Sequence, residues 1–218
     1  MNELEKFGNI PVDNAVLCSV IVNYNFPRNK VARMEQDGKL IRLKNGLFVI
    51  SPEISRKQLS RELIANHLYG PSYISFETAL AFYGLIPEKV FTVRSATFRR
   101  AKQFENPIGR FEYIVVPQDY YSIGISQQTV KNQYTAELEY TFLLATPEKA
   151  LCDLILATRH LNIKSEKAMQ EFLEDDLRID FSVLQGIDTE IIKQCIEIGK
   201  KKRVLELLLN LLSKLNFE

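Results

Sequence analysis

Residues 27–50 read PRNKVARMEQDGKLIRLKNGLFVI, and two signals inside that stretch organise what lies around it. Pro27 suits the first turn of a helix, where a missing N–H leaves no bond unmade. Val31 and Met34, three apart, give that helix an apolar side. Asp37-Gly38 closes it, because glycine takes left-handed backbone at no steric cost. Lys39 to Lys44 and Leu47 to Ile50 then flank Asn45-Gly46, the strongest short-range signal for a β-hairpin. Upstream, Asp13 is placed to cap a helix with an apolar stripe of Val16, Leu17, Val20 and Ile21. Asn23-Tyr24-Asn25 reads as the turn between the two helices. The first ~50 residues are thus expected to run helix, turn, helix, hairpin, as a helix-turn-helix with a wing does.

The charge of this segment departs from that of the chain. The whole protein carries a formal net charge of only +1. Between Arg28 and Lys44, six basic residues (Arg28, Lys30, Arg33, Lys39, Arg42 and Lys44) face only Glu35 and Asp37. With Val31 and Met34 turned inward, helical geometry puts Asn29, Arg33 and Gln36 on the opposite side, with Arg28 and Ala32 beside them. Asn, Arg and Gln match base edges in the major groove, while Lys and Arg neutralise phosphates. The expected DNA-binding set is Arg28, Asn29, Lys30, Arg33 and Gln36 on the helix, with Lys39, Arg42, Lys44 and Asn45 on the hairpin. A solvated basic face on a small helical subdomain is the plainer reading of the same charges.

Beyond Ser51-Pro52 the pattern changes. Ser55 and Gln58 match a capping box opening a helix with Leu59, Leu63, Ile64 and Leu68 inside, and His67 on the same stripe. Ser75 is placed to cap a helix carrying Phe76, Ala79, Leu80 and Tyr83. Val90 to Thr97, Phe111 to Val116 and Tyr140 to Ala145 are rich in β-branched and aromatic residues, predicting a small, mainly antiparallel sheet. Thr146-Pro147-Glu148 opens another helix with an inner face of Ala150, Leu151, Leu154 and Ile155. Three more helical segments follow, the last too rich in leucine for a surface element: intrachain burial is expected there, docking of a second subunit being the alternative. The fold class is α+β, with a winged helix-turn-helix at 1–52 and a larger sheet-and-helix domain at 53–218.

A second basic cluster, Arg94, Arg99, Arg100 and Lys102, falls between the first two predicted strands. It suits an extended nucleic-acid surface, an acidic partner, or a solvated loop equally. Catalytic signals are absent: no GxGxxG, P-loop, HExxH, GxSxG or CxxC occurs, and the chain is not expected to be an enzyme. The acidic group Glu171, Glu174, Asp175 and Asp176 reads as a solvated helix face. No metal or cofactor is expected. The three cysteines, Cys18, Cys152 and Cys195, read as buried free thiols, which with the absence of a signal segment or ~18-residue apolar span predicts a cytoplasmic protein without membrane contact.

Three stretches carry a resemblance: VARMEQDGKLIRLKNGLFVI at 31–50, PSYISFETALAFYGLIPE at 71–88, and TPEKALCDL at 146–154. In order and spacing the chain resembles the AbiEi-like antitoxins of abortive-infection, type IV toxin–antitoxin systems, over roughly residues 10–160. That likeness implies a repressor binding double-stranded operator DNA through its winged helix, as a homodimer or singly. It further implies a later domain that counteracts a nucleotidyltransferase-like toxin, with or without direct contact. The rival expectation is a protein-interaction module that uses the winged helix only as a scaffold.

Overall fold

The computed structural model describes residues 3–21, 24–131, 138–184 and 186–215. After a 3-10 turn (Glu3–Phe7), the chain forms β1 (Val12–Asp13), α1 (Asn14–Val20), α2 (Pro27–Gln36), β2 (Leu40–Lys44) and β3 (Leu47–Ile50). Pro27 opens α2, and Gly38 follows it with φ +71°. Gly46, at φ +79°, makes the tight turn of the β2–β3 hairpin. The short β1 pairs with β3 to complete a three-stranded sheet, a strand for which the sequence carries no clear signal. Asp13 precedes α1 without a side-chain cap, and only Leu17 and Ile21 of the expected stripe are buried; Val16 is exposed. The Asn23 end of the predicted turn lies outside the described residues.

The hairpin has two apolar faces, because alternate residues of a strand point opposite ways. Leu40, Phe48 and Ile50 join Val12, Leu17, Val31 and Met34 in a small core. Leu43, Leu47 and Val49 point the other way and belong to the main core. All of β3 is therefore buried. Asn106 Nδ2 donates to the Leu43 carbonyl at 3.1 Å, stitching the same hairpin to the neighbouring sheet.

That second sheet has six strands in the order β6-β7-β5-β4-β9-β8: β4 (Tyr73–Ile74), β5 (Thr92–Thr97), β6 (Lys102–Asn106), β7 (Gly109–Val115), β8 (Ile125–Lys131) and β9 (Leu138–Ala145). Three pairings are antiparallel, whereas β5–β7 and β4–β9 run parallel. The sheet is thus mixed and larger than the pattern suggested, since β4 is too short and β6 and β8 too polar to stand out. Helix α3 (Pro52–Ser55) ends at Arg56, and α4 (Arg61–Leu68) starts one turn later than expected. Its cap is Ser60, whose hydroxyl accepts the Leu63 N–H at 3.0 Å, so the Ser55/Gln58 box is not the start signal used. His67 is exposed rather than inside.

Five further helices follow α4: α5 (Phe76–Phe82), α6 (Gln118–Tyr121), α7 (Pro147–Ala157), α8 (Glu166–Glu171) and α9 (Thr189–Ile198), before the terminal α10 (Lys202–Leu215). Helix α7 opens as expected, with Thr146 Oγ accepting from Lys149 N at 3.4 Å. It is buried on all sides from Glu148 to Ile155, against α5 and α9. The leucine-rich α10 buries Leu205, Leu208 and Leu212 within the chain. Among the described residues, no helix is long and apolar enough to cross a membrane.

Candidate nucleic-acid interface

Helix α2 sits across the small core with Val31 and Met34 facing inward. That orientation leaves Arg28, Asn29, Ala32, Arg33 and Gln36 exposed on its outer side. Neither Arg28 nor Arg33 has an ion-pair partner among the described residues. Lys30 lies 4.5 Å from the centre of the Tyr24 ring, beside the N-terminal end of the same helix. A shallow cleft of about 160 Å³ runs between α2 and the hairpin turn, lined among others by Arg28, Ala32, Arg42, Asn45 and Gly46. The helix and the hairpin turn therefore present one surface.

The cations of the hairpin differ from those of the helix. Arg42 is engaged by both carboxylate oxygens of Glu35, with Nε donating to Oε1 at 2.7 Å, and it covers the Phe48 ring. The hydrogen bond holds the Glu35 carboxyl below its usual range and raises Arg42. An exposed pair of this kind adds only ~0–1 kcal/mol to stability, but it neutralises the arginine locally. Lys44 Nζ donates to the Leu68 carbonyl at 2.5 Å, capping the C-terminal end of α4. Lys39 lies 3.8 Å from Asp37. Among the described residues of this segment, the cations Arg28, Lys30 and Arg33 have neither an ion-pair partner nor a carbonyl at the charged group, and Asn29, Gln36 and the turn residue Asn45 are exposed beside them.

The second basic cluster divides in the same way. Arg94 bridges Glu77 and Glu112 and stacks on Phe76, so its charge is spent within the fold. Arg99, Arg100 and Lys102 are exposed. Arg99 Nη1 donates to the Gly70 carbonyl at 3.1 Å, and the Arg100 carbonyl accepts from Tyr69 OH at 3.2 Å. Both contacts leave the two positive charges without a carboxylate.

The sequence reading missed a sealed polar cluster beneath β4. Lys149 and Asp153, both with fully buried side chains, stand one helical turn apart on α7 with Nζ–Oδ1 at 3.3 Å. Lys149 Nζ also donates to the Tyr120 carbonyl at 3.0 Å. Asp153 Oδ2 accepts from Tyr73 OH at 3.0 Å and Ser75 Oγ at 2.6 Å. The Ser75 hydroxyl is thereby taken from the α5 cap it was expected to make. Burial lowers Lys149, opposed by Asp153. Beside them the free thiols Cys152 and Cys195 are buried together, their mutual hydrogen bond pushing Cys152 up and holding Cys195 down. The available signal was an oppositely charged pair four residues apart in a helix otherwise apolar on that side. The cluster binds β4 and the start of α5 to α7, and Asp153 also borders a cavity of about 180 Å³ shared with Phe76, Pro117 and Lys200.

Among the described residues no group of three or more His, Cys, Asp or Glu side chains could hold a metal ion. Glu171, Glu174, Asp175 and Asp176 are exposed. The chain matches no protein-family model and no curated protein.

Proposed function

We propose that this chain is a DNA-binding transcriptional regulator in which α1, α2 and the β2–β3 hairpin act as a winged helix, α2 entering the major groove. The observation that carries the reading is the outer face of α2: Arg28, Asn29, Arg33 and Gln36, all exposed on a helix held from behind by Val31 and Met34. Arg and Asn or Gln on one helical face supply the bidentate donors and acceptors that discriminate base pairs. Asn45 at the hairpin turn sits across the cleft from Arg28 and would touch the adjacent backbone. The resemblance to AbiEi-like antitoxins extends the proposal to autorepression and to counteracting a nucleotidyltransferase-like toxin, the later domain serving that second role in the cytoplasm.

The test is fluorescence anisotropy with the chain's own upstream duplex against a scrambled one at two salt concentrations. Selective binding that weakens steeply with salt supports the reading, because neutralised phosphates release counterions. Equal, weak binding to both duplexes overturns it. A scaffold for protein partners is the second reading. It is favoured by Arg42 and Lys44, which are engaged inside the molecule where a wing would offer them to phosphates.

A further inference from the structure

We infer that the exposed loop between β5 and β6, carrying Arg99 and Arg100, forms a second phosphate-contacting patch continuous with α2 and the hairpin turn. The inference rests on the DNA-binding reading and names the part of the footprint that lies outside the helix-hairpin segment.

Arg28 of α2 and Asn45 of the hairpin turn line the same cleft. Lys44, the next residue back, reaches the Leu68 carbonyl at the end of α4. The two residues after Leu68 hold the basic loop: Tyr69 OH donates to the Arg100 carbonyl, and the Gly70 carbonyl accepts from Arg99. Hydrogen bonds at residues 68–70 therefore link the hairpin to the loop, Lys44 at Leu68 and Arg100 and Arg99 at Tyr69 and Gly70. The loop is fixed further by the Phe98 ring, packed edge-on against Tyr121 with centroids 4.9 Å apart. Its position is set by these contacts, while its guanidinium groups face solvent.

Charge bookkeeping favours an anionic polymer as the occupant. The nearby acids on β6 and β7 are already taken, Glu105 by Arg110 and Glu112 by Arg94 and Gln103. Lys102, exposed at the start of β6, extends the positive run. A duplex carries a negative charge every ~1.7 Å along its axis, so a duplex seated on α2 and crossing the hairpin turn meets this loop with phosphates in reach. The Arg99 guanidinium is steadied by the Gly70 carbonyl and the Arg100 backbone by the Tyr69 hydroxyl, which suits phosphate contacts that position without reading sequence.

The experiment is the salt dependence of binding to the upstream and scrambled duplexes for wild type, R99A/R100A, R99K/R100K and R33A. Each phosphate contact contributes about 0.9 to the slope of log affinity against log salt. R99A/R100A is expected to flatten the slope by about one to two, the lower figure if the Gly70 carbonyl keeps Arg99 from phosphate, and to weaken both duplexes about 5- to 30-fold near 0.15 M salt. R99K/R100K keeps the slope, which shows that charge and not folding is responsible. R33A instead lowers the preference for the upstream duplex. Should wild type bind with salt sensitivity while R99A/R100A matches it in slope and affinity, the inference is overturned, the α2 reading stands, and an acidic protein surface becomes the loop's partner. Should wild type bind neither duplex, the DNA-binding reading itself fails and takes this inference with it.

Discussion

Arg33 and Lys44 carry the same formal charge in different electrical settings. Arg33 is exposed on α2 and forms no ion pair among the described residues, whereas Lys44 already caps the Leu68 carbonyl. Replacing Arg33 by Ala should weaken operator binding by about 1–3 kcal/mol and relax the preference at one base pair. Lys44→Ala should change the salt slope by less than the ~1 expected of a free phosphate contact; anisotropy titrations of the two variants separate the cases. Lys149 is a third setting. Lys149→Met leaves Asp153 buried without its counter-charge and should cost about 3–5 kcal/mol of stability in urea unfolding. Adding Asp153→Leu should recover much of that loss, because it removes the orphaned charge. A double variant as unstable as the single one would mean that Tyr73 and Ser75, not Lys149, hold Asp153 in place.

At the scale of elements, α2 and α10 show why apolar spacing is informative in one helix and ambiguous in another. Helix α2 has a narrow buried stripe and a polar remainder, so its exposed face follows directly from sequence. Helix α10 has leucines on several sides, and only packing against α8 and α9 selects Leu205, Leu208 and Leu212 as the fully buried set. Leu208→Ala should destabilise by about 2–5 kcal/mol through lost burial and a cavity. Leu209→Ala, at a half-buried position one residue on, should cost distinctly less in the same unfolding measurement. The hairpin is the more consequential element. Its two apolar faces make it part of both cores, so the N-terminal helices and hairpin are braced against the larger sheet rather than tethered to it.

For the whole molecule, that sharing predicts one cooperative unfolding transition reported alike by probes in both halves. Residues 1–52 alone should lack stable structure, since Leu43, Leu47 and Val49 would lose their cover; circular dichroism of the excised segment checks this. Stability should also fall at alkaline pH. Burial raises the phenols of Tyr73, Tyr113 and Tyr120 above their usual value near 10. The folded state then keeps protons that the unfolded chain releases, so their contribution is intact below pH ~10 and is lost as pH rises further. Lys149, lowered by burial, works in the opposite sense, as its penalty is relieved above the usual lysine range. Burial also raises Tyr121 and lowers Lys201, leaving four phenols against two amines. Tyrosinate absorbance should therefore rise in step with loss of secondary structure. Titration of Tyr73, Tyr113 and Tyr120 near pH 10 in an intact fold would contradict this.

Local chemistry alone specified α2, the Asn45-Gly46 hairpin and the Thr146-Pro147 helix start, because caps, glycine turns and proline act within a few residues. It also determined which α2 side chains face solvent, since a single apolar stripe fixes the rest of a short helix. Tertiary structure decided what depends on distant partners. It paired β4 with β9 and β5 with β7 in parallel, shifted the α4 cap to Ser60, and left Ser75 at the α5 N-cap while sending its hydroxyl to Asp153. It also sorted the cations, engaging Arg42, Lys44 and Arg94 within the molecule while leaving Arg28, Arg33, Arg99 and Arg100 exposed. The physical reason is range: a residue's charge is written in the sequence, but the carboxylate that pairs with it, or the carbonyl that accepts its hydrogen bond, is delivered by the fold.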